Sequence, residues 1–233
     1  MGAICSQPPK ETGDAWPAYE TLCEEIERKL VLPNIEIKEL EAAVNEIEYT
    51  CRKSDGTALA KLFSKFGVEE SAFSEKDCLL LRFFSGLSGD DTDRYYVLTT
   101  SLPFCRGRAI EKLDILWQSL ESTCKNYICY DELLQLLHVL IILPAKLIPE
   151  LAQSADNVNQ DLKKLIECSE EQIKAYAKSF MPKEPREGNR MHRHEFDLWA
   201  NEINVKNLFS PLYHRQSLLK FLSPCQPVEQ NIN

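Results

Sequence analysis

Segments with apolar residues at helical spacing alternate along this chain with polar loops, and this alternation constrains the fold more than any other feature. In AIEKLDILWQSL, residues 109–120, apolar side chains recur at 110, 113, 116, 117 and 120, which predicts an amphipathic helix. A second, more apolar helix is predicted over YDELLQLLHVLIIL, residues 130–143. Loops of about a dozen residues between such helices are longer than packing requires. The pattern predicts an all-α fold and raises the question of whether the loops bind ions.

The remaining helices are predicted from the same spacing and from local start and stop signals. They cover 16–31, 35–51, 58–66, a segment that begins at Ser74 as N-cap, 169–180 after Ser169, 194–203 and 214–222. RYYVLTTSLPF, residues 94–104, fits either a strand followed by a helix or one helix that stops near Pro103. Pro144 and Pro149 are expected to interrupt the chain after the apolar helix.

Composition and charge exclude several classes of protein. The 233 residues carry a net charge of -9, which argues against a nucleic-acid partner. Nine cysteines at irregular spacing do not form a secreted disulfide framework and indicate reduced, cytosolic thiols. The longest apolar run, 133–144, contains Gln and His and is expected to be too short to span a bilayer. Any membrane attachment therefore has to come from a lipid.

The first seven residues, MGAICSQ, match a lipidation pattern. Removal of Met1 exposes Gly2, and Gly2 with Ser6 fits the myristoylation pattern M-G-x-x-x-[ST]. One myristoyl chain gives only marginal membrane binding, with a K of roughly 10⁴ M⁻¹. The following residues, 7–23, hold one Lys against several acids and cannot supply attraction to anionic lipid. We therefore predict palmitoylation of Cys5 as the second signal and a peripheral, lipid-anchored location on the cytoplasmic face of a membrane.

The order of segments over 74–143, LLLRFF, VLTTSLPFCRG, IEKLDILWQSL and NYICYDELLQLLHVLI, resembles the second and third hands of the EF-hand superfamily. The similarity is to acylated neuronal-calcium-sensor-like and calcineurin-B-like proteins, and it extends to 169–203 as a fourth hand and 35–66 as a first. It implies two lobes of paired EF-hand-like helix-loop-helix units with short loop-to-loop strand pairing. The expected organisation is a tether (1–15), an N-terminal lobe (16–104), a C-terminal lobe (105–204) and a C-terminal helix and tail (205–233).

The loops that the resemblance defines lack the usual calcium ligands. Such a loop needs oxygen ligands at positions 1, 3, 5, 7, 9 and 12 and Gly at position 6. In the third-hand loop, 121–132, Ile128 takes the strand position and Lys125, which has no acceptor, takes position 5. In the fourth, 184–195, Met191 takes the strand position and Arg186, Arg190 and His192 take positions 3, 7 and 9. We therefore predict no metal and no other cofactor; the residual calcium candidates are Asp90, Asp91, Asp93, Glu121 and Glu132.

Zinc binding and catalysis by a Cys–His pair are two other chemistries that the residue types raise. His192 and His194 with Cys124 and Cys129 lack the paired spacing of a zinc site. His138, alone on the apolar helix, is expected to be a hydrogen-bonded core residue. The sequence contains no recognised catalytic motif, although a Cys–His pair that meets only in space stays open. We predict that the protein is not an enzyme.

The surplus of apolar residues predicts a partner-binding groove. In the EF-hand family, paired hands form a hydrophobic groove that takes an amphipathic helix. The residues assigned to partner binding are Leu134, Leu137, Val139, Ile141, Leu218, Leu219 and Phe221. Two alternatives stay open: these residues fill the core, or 205–222 folds back as an internal ligand of the groove.

The resemblance predicts a non-catalytic, lipid-anchored adaptor or regulatory subunit, largely independent of calcium, that binds a partner helix or a larger complex at a membrane. The alternative is a calcium-sensing acyl-switch protein. A second resemblance is to the acylated, EF-hand-like N-terminal region of TLDc-domain proteins. Because this chain ends at Asn233, no activity of a TLDc domain is implied.

Overall fold

The computed structural model describes residues 17–47, 57–75, 78–85, 94–120, 126–153, 159–182 and 189–223. Helices dominate these ranges, and the sheet within them has two short strands. The predicted all-α class is therefore confirmed. The calcium candidates Asp90, Asp91, Asp93 and Glu121 and the lipidation residues Gly2 and Cys5 lie outside the described residues.

Six helices and two short 3₁₀ turns, Leu32–Asn34 and Glu70–Ser74, make up the first half of the described chain. The helices are α1 (Ala18–Lys29), α2 (Ile37–Glu46), α3 (Thr57–Ser64), α4 (Leu79–Ser85), α5 (Arg94–Ser101) and α6 (Ala109–Leu120). Residues 94–101 form one helix, so the prediction of a single helix that stops near Pro103 is correct and the prediction of a strand followed by a helix is wrong. The prediction of Ser74 as a helix N-cap is wrong, because Ser74 ends a 3₁₀ turn and Glu75 has an extended backbone (φ -78°, ψ 134°).

Seven helices and two strands make up the second half. They are β1 (Tyr127–Cys129), α7 (Tyr130–Ile142), α8 (Ile148–Ala152), α9 (Gln160–Ile166), α10 (Glu170–Lys178), β2 (Arg190–His192), α11 (Arg193–Glu202), α12 (Val205–Leu208) and α13 (Pro211–Leu222). Ser169 caps α10 as predicted: the Gln172 amide donates to its Oγ at 3.3 Å, and its own amide donates to Gln172 Oε1 at 2.9 Å. Helix α9, capped by Asn159, has no counterpart among the predicted helices.

The expectation that Pro144 and Pro149 interrupt the helical structure after residue 143 is wrong. A π-helical segment, Leu143–Leu147, joins α7 to α8 and makes one continuous helix, Tyr130–Ala152. In the wider turn, the Ile148 amide donates to the Leu143 carbonyl five residues earlier, so the helix passes both prolines without ending. Within the described ranges, this is the helix that is long and apolar enough to cross a membrane. The apolar run 133–144, expected to be too short to span a bilayer, is therefore part of a longer helix. Within the most apolar stretch of that helix, 67% is buried inside the protein, as in a core helix.

One cluster of buried apolar side chains runs through the described part of the chain. Helix α1 packs against α8, α7 packs against α10, and α13 packs against the π-helical segment, α9 and α10. Helix α1, which the sequence assigns to the N-terminal lobe, thus contacts an element assigned to the C-terminal one. The lobe boundaries at 104 and 204 stay predictions.

Candidate functional site

Strands β1 and β2 pair antiparallel at the point where the two predicted C-terminal loops meet. Ile128 lies opposite Met191, with Tyr127 opposite His192 and Cys129 opposite Arg190. Both central side chains are buried, at 0% and 3% exposure. The strand positions predicted for Ile128 and Met191 are therefore confirmed. The Tyr130 amide extends the pairing by donating to the Asn189 carbonyl at 3.1 Å.

The backbone before each strand repeats the same turn. Asn126 and Asn189, each two residues before the central strand residue, have positive φ angles of 54° and 57°. This left-handed conformation favours Gly and is tolerated by Asn. In a calcium loop it is the conformation supplied by Gly at position 6. The two units, residues 126–132 and 189–195, are therefore alike in backbone conformation as well as in residue spacing.

The last glutamate of each unit caps the helix that follows. The Cys129 amide donates to Glu132 Oε2 at 2.9 Å, and the His192 amide donates to Glu195 Oε2 at 2.9 Å. Each carboxylate thereby satisfies a backbone donor in the first turn of α7 or α11. Glu132, the one calcium candidate within the described residues, contributes to helix capping there.

Basic and aromatic side chains surround the strand pair. The Arg190 guanidinium lies 4.4 Å from the centroid of the Tyr127 ring. Arg193 pairs with Asp114 and with Asp197, the latter at 3.0 Å. The described residues contain no group of three or more His, Cys, Asp or Glu side chains placed to bind a metal. Cys124, one of the four residues of the zinc hypothesis, lies outside the described residues.

The residues assigned to partner binding divide between core and surface. Leu137, Ile141 and Leu218 are fully buried, whereas Leu134, Val139 and Leu219 are half-buried. Phe221 is 47% exposed, and its ring centroid lies 5.7 Å from that of Tyr176 on α10. The three buried residues belong to the hydrophobic core. Their role in partner binding stays a prediction.

The C-terminal segment covers part of the apolar helices. Helix α12 contacts α6, and α13 lies against the π-helical segment, α9 and α10. Residues 205–222 therefore pack onto the body, and their role as an internal ligand of the groove stays a prediction. His138, on α7, was expected to be hydrogen-bonded, but its buried Nε2 finds no partner within the described ranges; burial lowers its pKa.

A buried ionic cluster ties α13 to α1, and no sequence prediction included it. Arg215 is 1% exposed and Glu20 is 0% exposed. Arg215 Nε lies 3.0 Å from both carboxylate oxygens of Glu20, and Nη2 lies 2.8 Å from Oε2. Arg215 Nη1 donates to Glu27 Oε1 at 2.5 Å. Burial raises the pKa of Glu27, and Arg215 opposes that rise by charge and hydrogen bond.

Arg215 also compensates for the N–H that Pro149, at the start of α8, lacks. In the wider turn the Pro144 carbonyl would accept from residue 149, which is a proline without an N–H. Arg215 Nη1 donates to that carbonyl at 3.2 Å instead. The same guanidinium thus satisfies an otherwise unpaired acceptor and two acidic side chains.

A sequence signal for this cluster exists. Glu20 and Glu27 are seven residues apart on the same stripe of α1 as Cys23, and Leu30, the C-cap of the helix, continues that stripe. Cys23 and Leu30 are both fully buried. An acid on a core-facing stripe needs a cationic partner. Arg215, within α13, supplies that partner.

Two further ionisable groups are buried outside this cluster. Lys112 is 7% exposed, and burial lowers its pKa to about 8. Its Nζ lies 5.8 Å from the centroid of the Phe209 ring. His214 Nε2 lies 2.8 Å from the Leu208 carbonyl oxygen, and burial lowers its pKa to about 4. Burial also raises the pKa of the Cys23 and Cys105 thiols to about 12, which makes both poor nucleophiles.

Comparison of the chain with protein-family models, with curated proteins and with solved structures finds no match.

Proposed function

We propose that this protein is a non-catalytic, lipid-anchored adaptor or regulatory subunit of EF-hand-like build. It binds a partner helix or protein complex at a membrane, largely without calcium. Acyl groups on Gly2 and Cys5 hold it at the cytoplasmic face, and its helical body carries the protein contacts.

The observation that carries the proposal is the likeness of the two units joined by β1 and β2. Each has a left-handed Asn, a strand residue two positions later, and a capping Glu four positions after that. This order fits positions 6, 8 and 12 of a calcium loop. Ligand positions 5, 7 and 9 of these loops include Lys125, Arg190 and His192, whose side chains repel or fail to coordinate a cation. The EF-hand-like pairing of the two units supports a role in binding a protein partner. The basic side chains at the ligand positions support independence from calcium.

Membrane fractionation of cells that express the protein tests the anchor. Gly2→Ala removes the acylated amine, and we expect this variant to move to the soluble fraction because myristoylation precedes palmitoylation. Cys5→Ser keeps one chain and should leave weak, easily washed binding. Ala3→Ser, which preserves Gly2 and Ser6, is the matched control. The intact mass of the native protein shows whether both acyl groups are present. If Gly2→Ala binds membranes as well as the unmodified protein does, the proposed anchor is wrong.

A calcium-sensing acyl switch is the second candidate, and the retained Glu132 and Glu195 favour it. Isothermal titration with Ca²⁺ separates the two proposals. The adaptor takes up no calcium saturably at micromolar concentration. A sensor shows saturable uptake that Glu132→Gln or Glu195→Gln abolishes, since the last Glu of a calcium loop is its bidentate ligand.

A further inference from the structure

Helix α1 is attached to the body by few side chains. Three of its 12 residues, Tyr19, Glu20 and Cys23, are buried, and one of these is an acid. Helix α7, by comparison, buries six apolar side chains in 13 residues. Helix α1 packs chiefly against α8. Because apolar burial is the main favourable term in helix packing, α1 gains less from its contacts than a core helix does.

The buried ionic cluster is a second link between α1 and the body. Arg215 donates to both carboxylate oxygens of Glu20 at 3.0 Å and also to Glu27. Within such a buried cluster, the attraction is largely offset by the cost of removing the charges from water. If α1 moves away, the guanidinium and both carboxylates regain water. The cluster therefore specifies where α1 docks but adds little net free energy to its docking.

Val31, which follows the C-cap of α1, has a strained backbone. Its φ is 66° with a ψ of -32°, and a positive φ in a β-branched residue is a genuine outlier. Such strain persists only where the surrounding structure fixes the conformation. The neighbours Leu30 and Leu32 are both fully buried, so they hold the chain on either side of Val31. Movement of α1 away from the body would let Val31 return to a negative φ.

The chain beyond Val31 is held in place. The Ile35 carbonyl accepts from the Arg106 amide, and the Ile37 amide donates to the Arg106 carbonyl, both at 2.9 Å. Arg106 Nη2 also donates to the Asn34 carbonyl at 2.8 Å. Helix α1 is therefore joined by one strained residue to an anchored segment, which is the arrangement of a hinge.

We propose that α1 is an arm that opens as a unit about Val31 while the rest of the described fold stays closed. Opening separates Glu20 and Glu27 from Arg215, relieves the strain at Val31 and uncovers α8. It exposes far less apolar surface than global unfolding does, so it requires less free energy. The arm makes the exposure of α8 adjustable, with or without the acyl groups and the partner of the proposed adaptor.

Alkylation of Cys23 in the full chain tests the arm. Cys23 lies on α1 and is 0% exposed, so the reagent reaches it only after α1 moves. Labelling with iodoacetamide, followed by peptide mass mapping, gives the rate at each cysteine. Cys105, 3% exposed between α5 and α6, is the internal reference. We expect Cys23 to react at least tenfold faster than Cys105, with a weaker dependence on urea, because opening exposes less surface than global unfolding.

A matched pair of arginine variants tests the ionic cluster. Arg215→Met leaves two buried acids without their donor, so Cys23 should react at least tenfold faster. Arg28→Met removes an arginine of the exposed pair with Glu24, and it should change the rate less than threefold.

A matched pair of valine variants tests the hinge. Val31→Gly keeps the closed conformation without its strain, so Cys23 should react about fivefold more slowly. Val68→Gly, at a half-buried residue without a positive φ, should not slow the reaction. Because Val31→Gly acts in the opposite direction to Arg215→Met, it tests the arm even if Arg215→Met does not fold.

Equal rates at Cys23 and Cys105, with the same dependence on urea, would overturn the proposal, because α1 would then open only in global unfolding. An unchanged or faster rate in Val31→Gly would overturn the hinge at Val31. Equal effects of Arg28→Met and Arg215→Met would overturn the role of the cluster in holding α1. Membrane release of Gly2→Ala does not depend on the arm, so it tests the adaptor's anchor separately.

Discussion

Arg215 donates hydrogen bonds to both carboxylate oxygens of Glu20, and this buried pair joins the last long helix to the first across 195 positions of the chain. Arg215 also contacts Glu27 and the Pro144 carbonyl, so α1, α13 and the π-helical segment meet at one guanidinium.

Arg215→Ala should lower the free energy of unfolding by about 3–5 kcal/mol, because it leaves two acids and a backbone carbonyl without their donor. Arg215→Lys should recover only part of that loss, since an ammonium cannot replace the planar fork. Urea unfolding monitored by circular dichroism measures both. Arg28→Ala is the control: its pair with Glu24 at 2.9 Å is exposed, and its loss should cost under about 1 kcal/mol. Equal losses for Arg28→Ala and Arg215→Ala would show that burial of the cluster contributes nothing.

Gly107 is required by both backbone and space. Its φ is +133°, and a Cβ added there would lie 2.7 Å from Ile37 Cγ2. Ile37 is fully buried, so it has little room to move. Gly107→Ala should therefore destabilise the protein by about 2–4 kcal/mol. Gly67→Ala is a matched control, because Gly67 has a φ of +82° but no atom within 4 Å of the added Cβ. It should cost about 1 kcal/mol in the same thermal or urea measurement, and a similar cost at both positions would contradict the steric argument.

Local signals predicted much of this fold. The stripe at 110, 113, 116, 117 and 120 became α6, and Ser169 became a capping residue, because both depend on neighbours within about a turn. The opposition of Ile128 and Met191 was implied by the resemblance to the EF-hand superfamily, which gives both residues the strand position of a loop.

Long-range compensation was the part that sequence reasoning missed. Two prolines predict a helix end, but a π-helical segment and a side chain 71 residues further along the chain satisfy the backbone around them. Likewise, burial of Glu20 is unfavourable by itself, and its partner Arg215 lies near the other end of the chain. The lipidation residues and the acids at 90–93 lie outside the described residues, so the structure leaves those predictions as they were.

Lys112 should be a source of instability at neutral pH. It is protonated in both folded and unfolded chains at pH 7, but in the folded chain its charge is buried, which lowers its pKa from 10.5 to about 8. Lys112→Met should therefore raise the free energy of unfolding by about 1–3 kcal/mol at pH 7, with the Phe209 contact offsetting part of the gain. The gain should shrink as pH rises from 8 to 10.5, where the folded chain has already lost the proton. Urea titrations at pH 7 and pH 10 measure it, and the exposed Lys206→Met should change stability by less than about 0.5 kcal/mol. A gain that is the same at both pH values would rule out charge burial as its cause.

His214 should make the protein less stable as pH falls below neutrality. Its Nε2 faces the Leu208 carbonyl at 2.8 Å and so carries the hydrogen, while buried Nδ1 has no hydrogen-bond partner in the described part of the chain. A second proton on Nδ1 would have no acceptor, which agrees with a pKa lowered from 6.5 to about 4 by burial. Between these two pH values the unfolded chain binds a proton that the folded chain does not, so the free energy of unfolding drops as pH falls and levels off below pH 4.

The His214 contribution amounts to about 2–3 kcal/mol lost between pH 7 and pH 4. His214→Gln keeps a donor for Leu208 but does not titrate, so it should show a shallower fall in stability over this range, whatever its stability at pH 7. His192→Gln, at an exposed position, should follow the unmodified protein. Urea midpoints measured at half-unit pH steps for the three proteins give the comparison. Parallel curves for the unmodified protein and His214→Gln would mean that the buried imidazole is protonated as readily in the folded chain as in the unfolded one, against the geometry of its unpaired Nδ1.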